Sequence, residues 1–361
     1  MTRAETLQQK MREEKIDVLM AQSRPNVFYI SGFDADPHER LLAVLLFAEA
    51  DPLVICPAME INQIKKIIDA PIIGYSDTEN PWEKLQQYLS KKQIAMQTIA
   101  LESGISWSRL KEWQRIAPDS QLVEADGLLT GSRLIKSAEE QSYMKEAAAL
   151  ADQGIAAGIA ALKEGITEVE VVAAIEYALK KKGVREMSFQ PMVLFGGNGG
   201  DPHGVPGSTP LQKGSSVLFD LGVMWKGYAS DITRTVFFGE PDEESRRVYE
   251  TVLRALQTSL SAAAPGETIG RLDHTARSVI EEAGYGEYFP HRIGHGIGID
   301  VHELPSMHAN NNDLLKPGMT FTIEPGIYIP GKIGVRIEDD VLLTEDGAVT
   351  LTKTPVSLTV V

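Results

Sequence analysis

Asp220 and Asp231 lie in the two arms of VLFDLGVMWKGYASDITRT, a segment that reads as a hairpin turning at Trp225, Lys226 and Gly227. Both are equidistant from the midpoint between Trp225 and Lys226, so a two-residue turn there would set them opposite each other. Directly opposed side chains have Cβ atoms about 4.5–5.5 Å apart, and like charges at that spacing are destabilising. A cation must then compensate them. Strand alternation also puts Asp231, Thr233 and Thr235 on one face and Ile232 and Val236 on the other. The acids therefore belong to a polar sheet face; the alternative is a pair of exposed aspartates flanking a turn.

Two later segments repeat the theme. In MTFTIEPG, Thr320, Thr322 and Glu324 alternate with Phe321 and Ile323, and in GVRIEDDV, Arg336 and Glu338 alternate with Val335 and Ile337. Each strand is expected to turn a glutamate away from its apolar side chains. Four of the seven histidines fall between His291 and His308, and His295 is framed by Gly294, Gly296 and Gly298, which let backbone approach closely. Asp220, Asp231, His295, Glu324 and Glu338 together supply one imidazole and four carboxylates, whose charge balances two divalent cations. An oxygen-rich set with one nitrogen and no thiolate suits manganese, cobalt, zinc or iron(II) better than copper without choosing among them, and manganese is the first expectation. Carboxylates shared by two such ions build a clamp for hydrolysis, in which an activated water attacks a polarised carbonyl.

The elements that position these residues fall into two groups. Over residues 3–130, DVLMAQ, NVFYISGF, LLAVLLF and PLVICP read as strands, and MEINQIKKII and NPWEKLQQYLSKK as helices. This is the pattern of an α/β domain with a mixed sheet, lacking a phosphate-binding glycine loop. A second domain, residues 131–361, opens where Ser137 and Glu140 form a capping box ahead of a helical pattern reaching about Lys163. Within it, Gly165, Thr167 and Gly183 recur as Gly266, Thr268 and Gly284, which predicts a degenerate duplication with the site between its halves.

Asp, Asp eleven residues on, His in GHGIG, Glu in EPG and Glu in RIED: this order resembles the pita-bread metallopeptidases (M24), which include prolidase, aminopeptidase P and methionine aminopeptidase. The resemblance runs from about Arg133 to the C-terminal region and implies an α+β pita-bread catalytic domain. It implies that Asp220 binds one metal, that His295 and Glu324 bind the other, and that Asp231 and Glu338 bridge both. It further implies that Glu324 moves a proton towards the leaving nitrogen, and that His203 and His302 contact the substrate. Arg336 joins these substrate-facing residues, neutralises surplus carboxylate charge or forms a purely structural salt bridge. His203 lies in FGGNGGDPHGVPG, whose preceding VLF departs from the prolidase pattern.

The preceding α/β domain, with NVFYISGF and DADPHERL, is similar to the prolidase N-domain and points away from methionine aminopeptidase. The expected activity is cleavage of Xaa-Pro dipeptides, with aminopeptidase P action on longer peptides, or a metal-containing peptide-binding module, as alternatives. Resemblance to prolidases also implies a homodimer in which Asp36, Pro37, His38, Glu39 and Arg40 of one subunit cover the other's site. A net charge of −15 disfavours nucleic-acid and anionic-lipid partners. No signal peptide or membrane span is expected, and the single cysteine, Cys56, allows no internal disulfide, so a cytoplasmic location is expected.

Overall fold

The computed structural model describes residues 2–361, and the chain divides into two compact units that meet between Arg133 and Leu134. In the first, short apolar runs form strands β1 (Val18–Ala21), β2 (Ala43–Phe47), β3 (Ala50–Pro57), β4 (Ile72–Tyr75), β5 (Thr98–Leu101) and β6 (Gln121–Glu124). They make one sheet in the order β4-β3-β2-β1-β5-β6. Pairings β1–β2 and β2–β3 are antiparallel and the rest parallel, which is the mixed sheet expected from the sequence. Every residue of β1 and β2 is buried, because both faces of the sheet centre are covered. The helices of this unit are α1 (Arg3–Glu13), α2 (Arg24–Ser31), α3 (Ile61–Ile64), α4 (Pro81–Lys92), α5 (Trp107–Ile116) and α6 (Asp126–Arg133).

Two expectations fail here. NVFYISGF is not a strand: most of it lies in α2, where Ser23 is the N-cap residue, Pro25 occupies the first turn and Gly32 closes the end in the left-handed region. These start and stop signals outweigh the β-rich composition between them. MEINQIKKII yields only a 3₁₀ turn and the single α-turn α3, which buries Ile64 alone. A helix with so little apolar face gains too little from packing to propagate.

The second unit carries the helix pairs α7 (Ala138–Ala161) and α8 (Glu168–Lys181), then α9 (Glu243–Ala262) and α10 (Ile269–Glu282). The Ser137–Glu140 capping box opens α7, with Ser137 N–H donating to Glu140 at 2.8 Å. The duplication is visible in the backbone. Gly165 and Gly266 both have positive φ, 82° and 83°, and donate to Leu211 O and Leu315 O, each at 2.9 Å. Thr167 and Thr268 are the N-caps of α8 and α10, and Gly183 and Gly284 follow those helices at φ 89° and 84°.

The strands of this unit are β7 (Glu186–Met187), β8 (Met192–Phe195), β9 (Ser215–Leu221), β10 (Val223–Trp225), β11 (Tyr228–Ala229), β12 (Ile232–Phe238), β13 (Gly294–Gly296), β14 (Glu303–Met307), β15 (Thr320–Ile323), β16 (Gly326–Ile329), β17 (Ile333–Arg336), β18 (Asp339–Thr344) and β19 (Gly347–Thr350). They assemble as β11-β10-β7, β12-β9-β8, β14-β13-β15-β18-β19 and the pair β16-β17. One core joins Ile155 and Ile175 to Phe219, and another joins Leu256 and Ala276 to Phe321 and Val341, so each helix pair covers the strands of its own half. Among the described residues no helix is long and apolar enough to cross a membrane.

Candidate metal centre

The hairpin carrying the two aspartates turns at Lys226 and Gly227, which have φ of 51° and 83°. Positive φ at both central residues is the mark of a type I′ turn, whose twist suits the flanking strands, and Gly227 takes its second position without a Cβ penalty. The turn is therefore centred one residue later than expected. Asp220 pairs with Thr233 rather than with Asp231, which stands just before β12. Because each partner moves by two residues, both acids keep the same face. They remain diagonal neighbours.

The two glutamates also differ from the expected continuous strands. Glu324 stands between β15 and β16, and Glu338 between β17 and β18, at the points where the chain leaves one sheet for another. Their backbones are held there: Glu324 N–H donates to Ile293 O at 2.8 Å, and Glu338 N–H to Thr233 O at 3.0 Å. His295 lies on β13, where a Cβ on Gly294 or Gly296 would overlap the backbone of Thr322 or of Leu304. Thr322 Oγ1 accepts from His295 N–H at 3.1 Å and donates to Glu324 at 3.2 Å, linking the two residues.

These elements bring the four acids and the histidine to one cavity of about 880 Å³. His295 Nε2 is 3.4 Å from Glu324 Oε1 and 3.7 Å from Asp231 Oδ2. Ligand atoms of Asp231, His295 and Glu338 all lie within 4.8 Å of one another. Burial raises all four carboxyl pKa values, that of Glu324 to about 7, and neighbouring carboxylates push Asp231 and Glu338 further. Burial and then His302 lower the His295 pKa to about 3, leaving the neutral imidazole that a metal requires. Asp220 Oδ1, Asp231 Oδ1 and Glu338 Oε1 are buried without a hydrogen-bond donor among the described residues. Buried acceptors are normally satisfied, so a concentrated group of bare carboxylate oxygens fits divalent cations and little else.

Arg336 is committed inside the protein. It pairs with Asp220 and donates to Thr233 Oγ1 at 2.9 Å and to Tyr328 OH at 2.8 Å. Thr233 in turn donates to Glu338 at 2.6 Å. This network favours charge neutralisation over substrate contact for Arg336. The His302 ring is exposed at the mouth of the cavity, 4.0 Å from that of His295, and its pKa is lowered by partial desolvation and by Arg292. His203 is exposed on the glycine-rich loop but lines the same cavity.

Sequence reading missed the residues that support this shell. Buried Asp340 accepts from Asp231 N–H at 3.0 Å. Fully buried Glu168 accepts from Phe195 N–H at 2.8 Å, Asn198 Nδ2 at 2.9 Å and Gly207 N–H at 2.8 Å, so it ties both ends of the His203 loop to the start of α8. Its position directly after an N-cap looks like an ordinary favourable charge at a helix N-terminus; only tertiary structure reveals the other role. Glu168→Gln leaves one of the loop's donors facing an NH₂ group, at a cost of about 1–3 kcal/mol. We expect a lower melting temperature and a fall in kcat/KM with metal content intact. Unchanged values of both in calorimetry and steady-state kinetics would remove Glu168 from loop support.

Residues 142–345, which contain every candidate site residue, match the family model of metallopeptidase family M24, and residues 3–135 match that of the creatinase/prolidase N-terminal domain. The chain is 49% identical over 360 residues to a putative dipeptidase of Bacillus subtilis, covering 99% of each chain. The solved prolidase from Thermococcus sibiricus aligns with a TM-score of 0.94 at 34% identity, covering 99% of this chain and 98% of that one. An X-Pro aminopeptidase from Thermotoga maritima aligns with a TM-score of 0.88 at 32% identity, covering 97% and 100%. A family match that encloses the whole acid–histidine cluster, joined to relatives alike over both units, settles the lineage: the chain belongs to metallopeptidase family M24.

Proposed function

We propose that this protein is an Xaa-Pro dipeptidase that holds two divalent ions, manganese foremost, through Asp220, Asp231, His295, Glu324 and Glu338. The observation that carries this reading is the cluster of buried carboxylate oxygens without donors, all facing one cavity. The prolidase and dipeptidase relatives support the substrate class. As the family resemblance implies, Asp231 and Glu338 would serve both ions, Asp220 one of them, and His295 and Glu324 the other. When bound, the ions supply Lewis acidity and a water acidic enough to lose a proton near neutral pH.

The chain's own groups do the rest. Glu324 takes the proton and delivers it to the nitrogen of the departing proline, as its place in the cavity wall allows. His302 and His203 donate to oxygen atoms of the substrate on which negative charge develops. Arg336 holds Asp220 in place and offsets part of the carboxylate charge. A homodimer in the cytoplasm completes the proposal, with light scattering as the check on assembly.

A peptide panel tests the activity. Metal-loaded enzyme is given Xaa-Pro dipeptides, Xaa-Pro-Xaa tripeptides and Met-Ala peptides, and amino-acid release is followed. Xaa-Pro dipeptides should be cleaved fastest, with activity abolished by chelation and restored by manganese. Faster release from the tripeptides would instead assign aminopeptidase action, which the Thermotoga relative exemplifies. No release from any peptide would overturn the enzymatic reading.

A further inference from the structure

His302 has no tether of its own. Among the described residues its ring faces that of His295 and forms no hydrogen bond, so the backbone that carries it sets its place at the cavity mouth. That backbone is the loop 297–302, which joins β13 to β14 and also supplies Asp300 and Val301 to the cavity wall. At its near end Ala229 N–H donates to Gly298 O at 2.7 Å and Thr320 Oγ1 to Ile297 O at 2.5 Å. At its far end stands an ion pair.

Glu303, the residue directly after His302, accepts from Lys136 Nζ at 2.6 Å, and the Lys136 and Glu303 side chains are only 2% and 5% exposed. Lys136 is fixed in turn. Its N–H donates to Gly318 O at 2.8 Å, its carbonyl accepts from Gln141 Nε2 at 2.9 Å, and Ser137, the N-cap of α7, follows it. The loop folds directly over the pair, because a Cβ on Gly298 would overlap both Glu303 and Lys136. Stability does not explain such a pair: taking two charges out of water is costly, and apolar residues of similar volume usually hold a fold as well or better. A short charge-assisted bond supplies direction instead. It fixes Glu303 against the start of α7, and with it the peptide unit that places His302.

We propose that Lys136 is a positioning residue that, through Glu303, holds His302 where its ring can donate to a substrate oxygen. The inference rests on the reading of His302 as a substrate donor given above. Such a donor is sensitive to placement, since a shift of about 1 Å can cost about a hundred-fold in rate.

The test is a double-mutant cycle on the metal-loaded enzyme with its best-cleaved Xaa-Pro dipeptide. Lys136→Met combined with Glu303→Leu removes both charges at similar volume, so neither is left buried alone. This variant should melt close to wild type and keep its metal, while kcat falls about 10- to 100-fold with KM nearly unchanged. In a His302→Ala background the same pair of changes should lower kcat by less than about two-fold, because the residue through which they act is gone. Glu303→Gln keeps the shape and an acceptor for Lys136, so it should show the same dependence on His302 with a loss of about 3- to 10-fold. It decides the matter if the double variant does not fold. Undiminished kcat in the folded variants would overturn the proposal. So would an equal loss with and without His302, or loss of metal, because the pair would then support the fold or the acidic cluster at large. If His302→Ala alone costs nothing, the donor reading of His302 fails and takes the proposal with it; a costly His302→Ala beside a silent ion pair refutes the proposal alone. If Xaa-Pro peptides are inert and Met-Ala is cleaved, proline specificity fails by itself, and the same cycle on Met-Ala still decides the role of Lys136.

Discussion

Asp231→Asn should abolish tight metal binding and lower kcat/KM by about a thousand-fold or more, at least about 4 kcal/mol of lost transition-state stabilisation. The substitution keeps the side-chain shape and the Asp231 N–H bond to Asp340, but it removes one of the oxygens without a donor from the centre of the cluster. A proposed shared ligand affects both ions at once. The effect on the metal-free protein has the opposite sign. Burial, Glu338 and Asp220 all oppose ionisation of Asp231, so an amide there relieves repulsion, and the variant without metal should melt no lower than metal-free wild type. Elemental analysis, calorimetry with and without manganese, and kinetics check the three parts. Two tightly held ions with full turnover in the variant would sink the assignment.

His302→Ala and His203→Ala should each cost about 2–4 kcal/mol in kcat/KM, as does removal of an oxyanion donor, with metal content preserved. Both histidines are exposed, so truncating either should leave the melting temperature nearly unchanged. A folded variant that loses its ions would turn that histidine into a ligand.

The proposed ligand residues were legible in the sequence because carboxylates set among apolar, β-branched neighbours cannot be explained by solvation. Alternation assigned the face of Asp220 and Asp231 correctly even though the register was misplaced, since a two-residue shift preserves the face. Gly227 suits the second position of the turn, but Lys226 at positive φ gives no signal for the first, which is why the turn was expected one residue too early. The change of sheet at Glu338 could not be read, because β17 and β18 are separated by only two residues without a turn signal, whereas Pro325-Gly326 after Glu324 did mark the end of β15. Support by Glu168 and Asp340 was equally hidden, as each acts through backbone groups remote in sequence. In the first unit the strand expected at NVFYISGF failed because Ser23 and Pro25 ahead of the run and Gly32 near its end decided its conformation.

The duplication has a thermodynamic consequence. Asp220 and Asp231 come from the half built on α7 and α8, whereas His295, Glu324 and Glu338 come from the half built on α9 and α10. Neither half can assemble the proposed site by itself, so bound ions act as a non-covalent cross-link whose strength is set by free metal concentration. By linkage, each ion at about a hundred times its dissociation constant adds about 2.7 kcal/mol to folding stability, and that increment falls on the association of the halves rather than on either core. Metal limitation would then loosen the seam before it unfolds the helices, and make cleavage between the halves by an added protease a gauge of metal occupancy.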